Sequence, residues 1–232
     1  MKQIIVNNLL VELEKKRIKN LYLRILPPEG RIHISAPNKM SEVEIIRFVQ
    51  SKTDWIIAQQ EKVQLSHTQK IPTNYVTGDE IYIWGRKYLL SVFELTGRPK
   101  ISFEGEKILM YVREGSTTEK RKQLLDAYYK EVLIKEIPNL IEKWEKTIGV
   151  KSSDYSIRDM KTRWGTCNIR TKKICLSLQL AKKPPECLEY VVVHELVHLL
   201  EGSHNKIFKG YLDHFLPEWR SIKKEMNKEI MS

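Results

Sequence analysis

The chain has 232 residues, 41% of them hydrophobic, and a formal net charge of +11. This length and apolar content suit a folded protein with one large or two modest domains. No segment approaches the roughly 18 apolar residues of a membrane span, and the N-terminal apolar run is too short for a signal peptide. We therefore expect a cytoplasmic protein without a membrane partner, whose three cysteines are reduced thiols.

Residues 1–113 are predicted to form a strand-rich N-terminal domain with one helix. Period-two alternation and turn residues predict three strand pairs: 21–25 with 32–34, 80–84 with 88–93, and 100–103 with 108–112. The single helix begins at the capping box Ser41 to Glu44, and its apolar residues fall at broadly helical spacing: Val43, Ile46, Phe48, Val49 and Trp55 to Ile57. A polar stretch, residues 65–74, is expected to be a connector. We find no internal repeat in the sequence.

Residues 114–232 are predicted to form the second domain. It opens with another capping box, Ser116 to Glu119, and a long amphipathic helix whose apolar stripe is expected to be core. A strand with clean alternation follows at 174–180, and one of its faces is expected to be buried.

A second helix is predicted between the prolines 184–185 and Gly202, because about 17 residues are too many for an ordinary strand. Three successive valines, 191–193, would also suit a buried strand, but the flanking residues favour the helix. Gly202 is expected to adopt the left-handed conformation just past the helix end.

This helix carries the motif His-Glu-x-x-His at residues 194–198. Residues four apart lie on one helical face, so His194 and His198 can bind one tetrahedral metal ion. Glu195 lies roughly 100° further round the helix and can contact a metal-bound water instead. The pattern therefore predicts a metal-dependent hydrolase with one zinc per chain, although imidazoles also bind other divalent metals.

The third ligand is predicted to be His204, which a turn at Gly202 would bring back towards the first two histidines. The alternatives are Glu201, Asp213, His214 and Glu218. A histidine ligand that follows a turn explains the presence of a glycine at 202 better than Glu201 would as the third ligand.

The chain resembles a known family at several motifs. These are residues 163–167 (Arg-Trp-Gly-Thr-Cys), the strand from 174, Pro184, the run from Tyr190 to His198, and then His204 and Phe208. They are similar to the YgjP-like family of predicted zinc metallopeptidases, which is related to the SprT and WLM zincins. The resemblance is strong over about 150–220 and looser before it. It differs at Thr166, Ser177 and Lys209, where that family usually has Ser, Asn and Trp.

The resemblance implies an α+β fold in which the strand-rich half precedes a zincin-like metallopeptidase domain with an HExxH active-site helix. It also implies zinc ligands at His194, His198 and His204 and a catalytic carboxylate at Glu195. In zincin folds the strand before the active-site helix edges the cleft, so the resemblance makes the strand at 174–180 a candidate edge strand for pairing with a peptide. In the expected mechanism Glu195 removes a proton from the zinc-bound water and returns it to the leaving group. The candidates for contacting the oxygen that becomes negative, or the substrate, are Arg163, Tyr211 and His214.

The short stretch leading to the candidate edge strand contains one acidic residue, Asp159, and six basic ones: Arg158, Lys161, Arg163, Arg170, Lys172 and Lys173. Such a stretch either attracts anions or is a solvated face.

Three functions therefore stay open. The first is a zinc peptidase acting on peptides. The second is a metal-dependent nucleoside triphosphate pyrophosphohydrolase acting on an anionic nucleotide. The third is an SprT-like protease associated with nucleic acid.

Overall fold

In the computed structural model, which describes residues 2–68 and 74–227, the chain divides between residues 72 and 73 into two units. The first unit consists of a four-stranded sheet and two helices: β1 (Lys2–Val6), β2 (Leu9–Lys16), β3 (Tyr22–Leu26), β4 (Arg31–Pro37), α1 (Glu42–Gln50) and α2 (Thr53–Thr68). Its sheet has the strand order β1-β2-β4-β3, in which β2 and β4 are parallel and the two outer pairs are antiparallel. The predicted pairing of β3 with β4 is confirmed.

The single helix predicted for this region is two helices. Ser41 caps α1 in the predicted capping box with Glu44, but α1 ends at Ser51. The hydroxyls of Ser51 and Thr53 donate to carbonyls of the last turn of α1, which competes with continuation of the helix. The expected apolar face is confirmed in part, because Val49 and Ile56 are buried whereas Val43, Trp55 and Ile57 are exposed.

The helix α2 also extends further than the sequence indicated. Residues 65–68, the start of the predicted connector, continue this helix. Residues 69–73 lie outside the described part of the chain.

The second unit contains seven strands and four α-helices in its described residues: β5 (Glu80–Ile83), β6 (Arg86–Glu94), β7 (Lys100–Glu104), β8 (Lys107–Val112), α3 (Thr118–Ile148), β9 (Asp154–Arg158), β10 (Gly165–Asn168), β11 (Lys173–Ser177), α4 (Pro185–Val197), α5 (Lys206–Phe215) and α6 (Trp219–Met226). Both predicted pairings, β5 with β6 and β7 with β8, are confirmed. No helix in the described parts of the chain has the length and apolar content needed to cross a bilayer.

The strands β5–β8 repeat the topology of the first sheet. Their order is β5-β6-β8-β7, with a parallel central pair and antiparallel outer pairs. Their buried side chains belong to the same core as those of α3 and α4. Strands that the sequence analysis grouped with residues 1–113 thus lie in one unit with the candidate metal-binding helix.

The long helix α3 supplies one side of this core. Its cap is Thr117, which accepts a hydrogen bond from the backbone N–H of Lys120, so the helix begins one residue later than the predicted box at Ser116. Buried side chains recur at helical spacing along one face: Leu125, Tyr129, Leu133, Ile137, Ile141 and Trp144. The apolar stripe is therefore core, as expected, and it packs in one cluster with the side chains of α4.

A second, three-stranded sheet lies beside α4 in the order β10-β11-β9. The predicted strand at 174–180 is shorter than expected, because it ends at Ser177 and a 3-10 helix follows over Leu178–Lys182. It is also the central strand of its sheet, so the prediction of an edge strand there is wrong. The outer strand next to α4 is β10, which pairs with β11 in antiparallel register.

Candidate metal centre

The helix α4 positions the first two histidines of the motif. Pro185 starts it, as the sequence indicated, and nearly every residue from Cys187 to Val197 is buried. The helix ends at Val197 with His198 as its C-cap in the right-handed conformation, so it is shorter than predicted. Gly202 does not have a positive φ, and that expectation was wrong. A Cβ at Gly202 would instead lie 2.9 Å from Cδ1 of Ile169, so this position is limited by a close approach.

A hydrogen-bonded turn brings the chain back after α4. The backbone N–H of Ser203 donates to Oε1 of Glu201 at 2.9 Å, and that of Asn205 donates to the carbonyl of Ser203 at 2.7 Å. Asn205 then caps α5 by accepting from the N–H of Phe208. His204 lies between this turn and the cap. Its position is thereby fixed without a left-handed glycine.

Three imidazoles converge at this end of α4. One nitrogen from each of His194, His198 and His204 lies within 4.8 Å of the others, and this is the group with metal-ligand spacing among the described His, Cys, Asp and Glu residues. Nε2 of His194 lies 2.9 Å from Nε2 of His204. Nδ1 of His198 lies 3.2 Å from the carbonyl of Glu201, an acceptor that favours a proton on Nδ1 and leaves Nε2 free.

Burial keeps two of these imidazoles neutral. Burial first, and then the neighbouring rings, lower the pKa of His194 to about 3. Burial also lowers the pKa of His198. Neutral imidazoles present lone pairs, which is the form that binds a metal ion.

One aromatic ring supports all three imidazoles. The ring of Phe208, only 1% exposed, has its centroid 4.9 Å from that of His194, 4.6 Å from His198 and 4.8 Å from His204. It is part of α5, which follows the His204 turn directly. Packing on this ring restricts the rotamers of the three side chains.

Glu195 lies in the same cleft and is 4% exposed. Burial raises the pKa of its carboxyl to about 8, against the opposing positive charge of Arg163. The strand β10 approaches it closely at Gly165, where a Cβ would lie 2.5 Å from Oε1 of Glu195 and 2.8 Å from Cγ1 of Val191. A glycine is needed here because any side chain would collide with the carboxylate.

The cleft has a volume of about 570 Å³. Besides the histidines and Glu195, its described lining comes from four parts of the chain: residues 163–167 with Ile169, Tyr190 and Val191 of α4, Gly202 after α4, and Lys223, Met226 and Asn227 at the end of α6. The α6 wall was not predicted from the sequence. A basic residue on a short amphipathic helix gives no local signal that it faces a site.

The remaining predicted site residues lie in different places. Arg163 lines the cleft, whereas Tyr211 and His214, both on α5, are not among its described lining residues. The basic side chains proposed to attract anions are all exposed and likewise outside that lining: Arg158, Lys161, Arg170, Lys172 and Lys173. Any anion that they attract would therefore be held beside the cleft.

The three cysteines are free thiols, as expected. Cys167 lines the cleft, and burial, with the nearby charge of Glu195, raises its pKa to about 11. Burial likewise raises the pKa of Cys187 to about 11. Neither is therefore a thiolate near neutral pH.

An α+β unit that brings three imidazoles and a buried carboxylate into one cleft has the elements of a metal-dependent hydrolase. A family model described as "YgjP-like, metallopeptidase domain" matches residues 19–229, so the chain belongs to the YgjP-like metallopeptidase family. This confirms the family expected from the motifs.

Solved structures and curated proteins were also compared. The metallopeptidase zymogen abylysin of Pyrococcus abyssi is 20% identical, with a TM-score of 0.38, over 40% of this chain and 94% of its own. The metallopeptidase zymogen jannalysin of Methanocaldococcus jannaschii is 22% identical, with a TM-score of 0.35, over 39% of this chain and 93% of its own. No curated protein matches this chain.

Proposed function

We propose that this protein is a zinc-dependent peptidase of zincin-like architecture, in which His194, His198 and His204 hold one zinc ion and Glu195 is the general base. The observation that carries the proposal is the convergence of three imidazole nitrogens beside a buried carboxylate in one cleft. The family to which the chain belongs supports the choice of a peptidase.

The residues fit a metal ion. The Nε2 atoms of His194 and His204 lie 2.9 Å apart, too close for each to carry a proton directed at the other, so a cation shared between them would suit the pair. A set of three imidazoles suits zinc and leaves a fourth coordination position open. Zinc bound there would supply Lewis acidity, lowering the pKa of water towards about 7 and polarising the carbonyl under attack.

Glu195 is proposed to accept the proton of the attacking water and to return it to the leaving amine. Its burial supports this role, because a carboxyl whose pKa is raised to about 8 holds a proton more readily than an exposed one. A general base is most effective when its pKa is near the working pH. The contact with Gly165 restricts where the carboxylate can lie.

Arg163 is proposed to stabilise the oxygen that becomes negative during attack. Of the three candidates named from the sequence, Arg163 is the one that lines the cleft, and its positive charge acts on the carboxyl of Glu195. A guanidinium offers several fixed donors, which suits a developing oxyanion.

A peptide substrate is supported by the position of β10. It is an outer strand of its sheet, and its residues Gly165, Thr166 and Cys167 line the cleft. An extended peptide can pair with such an edge through backbone hydrogen bonds. The edge strand proposed to bind substrate is thus β10 instead of β11.

The metal assignment is tested by elemental analysis of protein purified without added metal. We expect about one zinc per chain in the parent and less than a tenth of that in the His194→Ala, His198→Ala double variant. The rival ligand His214 provides the control, since His214→Ala should keep its zinc. Near-stoichiometric metal in the double variant would exclude this site.

The substrate class is tested on the same samples with two panels. Quenched fluorescent peptides report proteolysis, and release of orthophosphate or pyrophosphate from nucleoside triphosphates reports the alternative hydrolase. We expect zinc-dependent cleavage of peptides alone. Zinc-dependent release of phosphate without peptide cleavage would replace the peptidase proposal with the nucleotide one.

A further inference from the structure

The charge of the cleft is uneven. Apart from the histidines and Glu195, the charged side chains in its described lining are Arg163 and Lys223, and both are positive. They come from separate elements, because Arg163 precedes β10 and Lys223 belongs to α6. The charge of Arg163 acts on the carboxyl of Glu195 in the same cleft. Apart from that carboxyl and the histidines, the described lining therefore adds only positive charge to the cleft.

Lys223 lies beside a stack of aromatic rings at the wall of the cleft. Its Nζ lies 5.8 Å from the ring centroid of Trp219, which is 7% exposed and also has the guanidinium of Arg220 at 4.6 Å. Trp219 stacks on Tyr190 at 6.4 Å with an interplanar angle of 8°, and Tyr190 contacts the ring of His194 edge-on at 5.7 Å. A cation over an indole face is attracted by the ring, so the ammonium has a preferred position near the metal centre.

Lys223 and the next residue of α6 differ in their position relative to the cleft. Both Lys223 and Lys224 are exposed, but Lys224 is outside the described lining. One helix therefore carries two adjacent lysines, of which one faces the cleft.

We propose that Lys223 determines substrate specificity by attracting a carboxylate close to the cleaved bond, so that the preferred substrates are acidic peptides. This inference rests on the proposed peptidase function. An Asp or Glu side chain entering the cleft gains attraction from Lys223, to which the nearby charge of Arg163 adds. Because the site is partly open to solvent, the preference is moderate, and we expect threefold to about tenfold in kcat/KM for Glu over Gln.

The test uses two quenched peptide libraries that differ by Glu or Gln at one position, moved in turn across the cleaved bond. We expect the parent to prefer Glu at one or two adjacent positions and Lys223→Glu to lose or invert that preference. Lys224→Glu is the matched control, since it changes the net charge equally and should keep the preference. Raising the salt from about 0.15 M to 1 M, which shortens the screening length from about 8 Å to 3 Å, should reduce it.

Two results would overturn the inference. One is equal cleavage of the Glu and Gln libraries by the parent. The other is the same loss in Lys224→Glu as in Lys223→Glu, which would assign the effect to net charge instead of the cleft.

If no peptide is cleaved, the peptidase proposal fails, and binding of the same peptides, measured by fluorescence anisotropy, decides the specificity. Tighter binding of Glu peptides that is lost only in Lys223→Glu supports it, and equal binding overturns it.

Discussion

Replacement of Glu195 by Gln is expected to lower kcat/KM for a cleaved peptide by about 10² or more while zinc content and stability are retained. A carboxamide has nearly the size of a carboxylate, so it fits beneath Gly165 as the native side chain does. It cannot accept a proton from water, and general base catalysis of this kind contributes about 10²–10⁴ in rate. The loss should therefore appear in turnover and not in metal binding.

The helix that carries Glu195 also provides a matched control. Glu186 lies on α4 and is exposed, outside the described lining of the cleft. Glu186→Gln makes the same chemical change on the same helix and should leave kcat/KM within about twofold of the parent. Assays of peptide cleavage on both variants, with zinc measured in each sample, distinguish a loss of turnover from a loss of metal. Unchanged turnover in Glu195→Gln would remove this residue from the mechanism, and loss of its zinc would assign it a structural role instead.

Features that depend on neighbours in sequence were the ones that could be predicted. The pairings of β3 with β4, β5 with β6 and β7 with β8 follow from alternation and turn residues, and the predicted capping box at Ser41 is present. The His-x-x-x-His spacing placed His194 and His198 on one face, and His204 joins them. The arrangement of strand pairs and of His194 with His198 is determined by periodicity within a short segment, whereas His204 is brought back by the turn after α4.

Features that depend on tertiary packing were missed. The break after α1 at Ser51 results from hydroxyl contacts with the preceding helical turn, which compete with a favourable helical pattern. The order β10-β11-β9 makes β11 central, and alternation alone cannot distinguish a central strand from an outer one. Lys223 reaches the cleft because α6 packs near α4, a contact without a local signal.

The two four-stranded sheets also show what alternation in the sequence cannot predict. Both have a parallel central pair between antiparallel outer pairs, in the orders β1-β2-β4-β3 and β5-β6-β8-β7. No repeat is evident in the sequence, because many combinations of apolar residues satisfy the same alternation. Strand content is similar on both sides of residues 72 and 73, so the strand pattern alone gives no signal for a division there.

The close contact at Gly165 gives the second large effect, because Gly165→Ala should impair both stability and catalysis. Its Cβ would lie 2.5 Å from Oε1 of Glu195, 2.9 Å from its Cγ and 2.8 Å from Cγ1 of Val191. Both neighbours are buried, at 4% and 3% exposure, so neither can move away freely. Overpacking of this kind costs about 1–3 kcal/mol of unfolding free energy. Displacement of the carboxylate by a few tenths of an ångström or more should also lower kcat/KM by about tenfold or more.

Gly210 is the matched control for this substitution. It lies inside α5, and a Cβ there would meet no atom within 4 Å. Gly210→Ala should therefore raise the unfolding free energy by about 0.5–1 kcal/mol, because alanine loses less backbone entropy in a helix. Urea unfolding of both variants gives the stability, and kcat/KM measured where both are fully folded gives the catalytic effect. If Gly165→Ala matched the parent in both measurements, β10 would not restrict the position of Glu195, and the carboxylate would need another restraint to act as a positioned base.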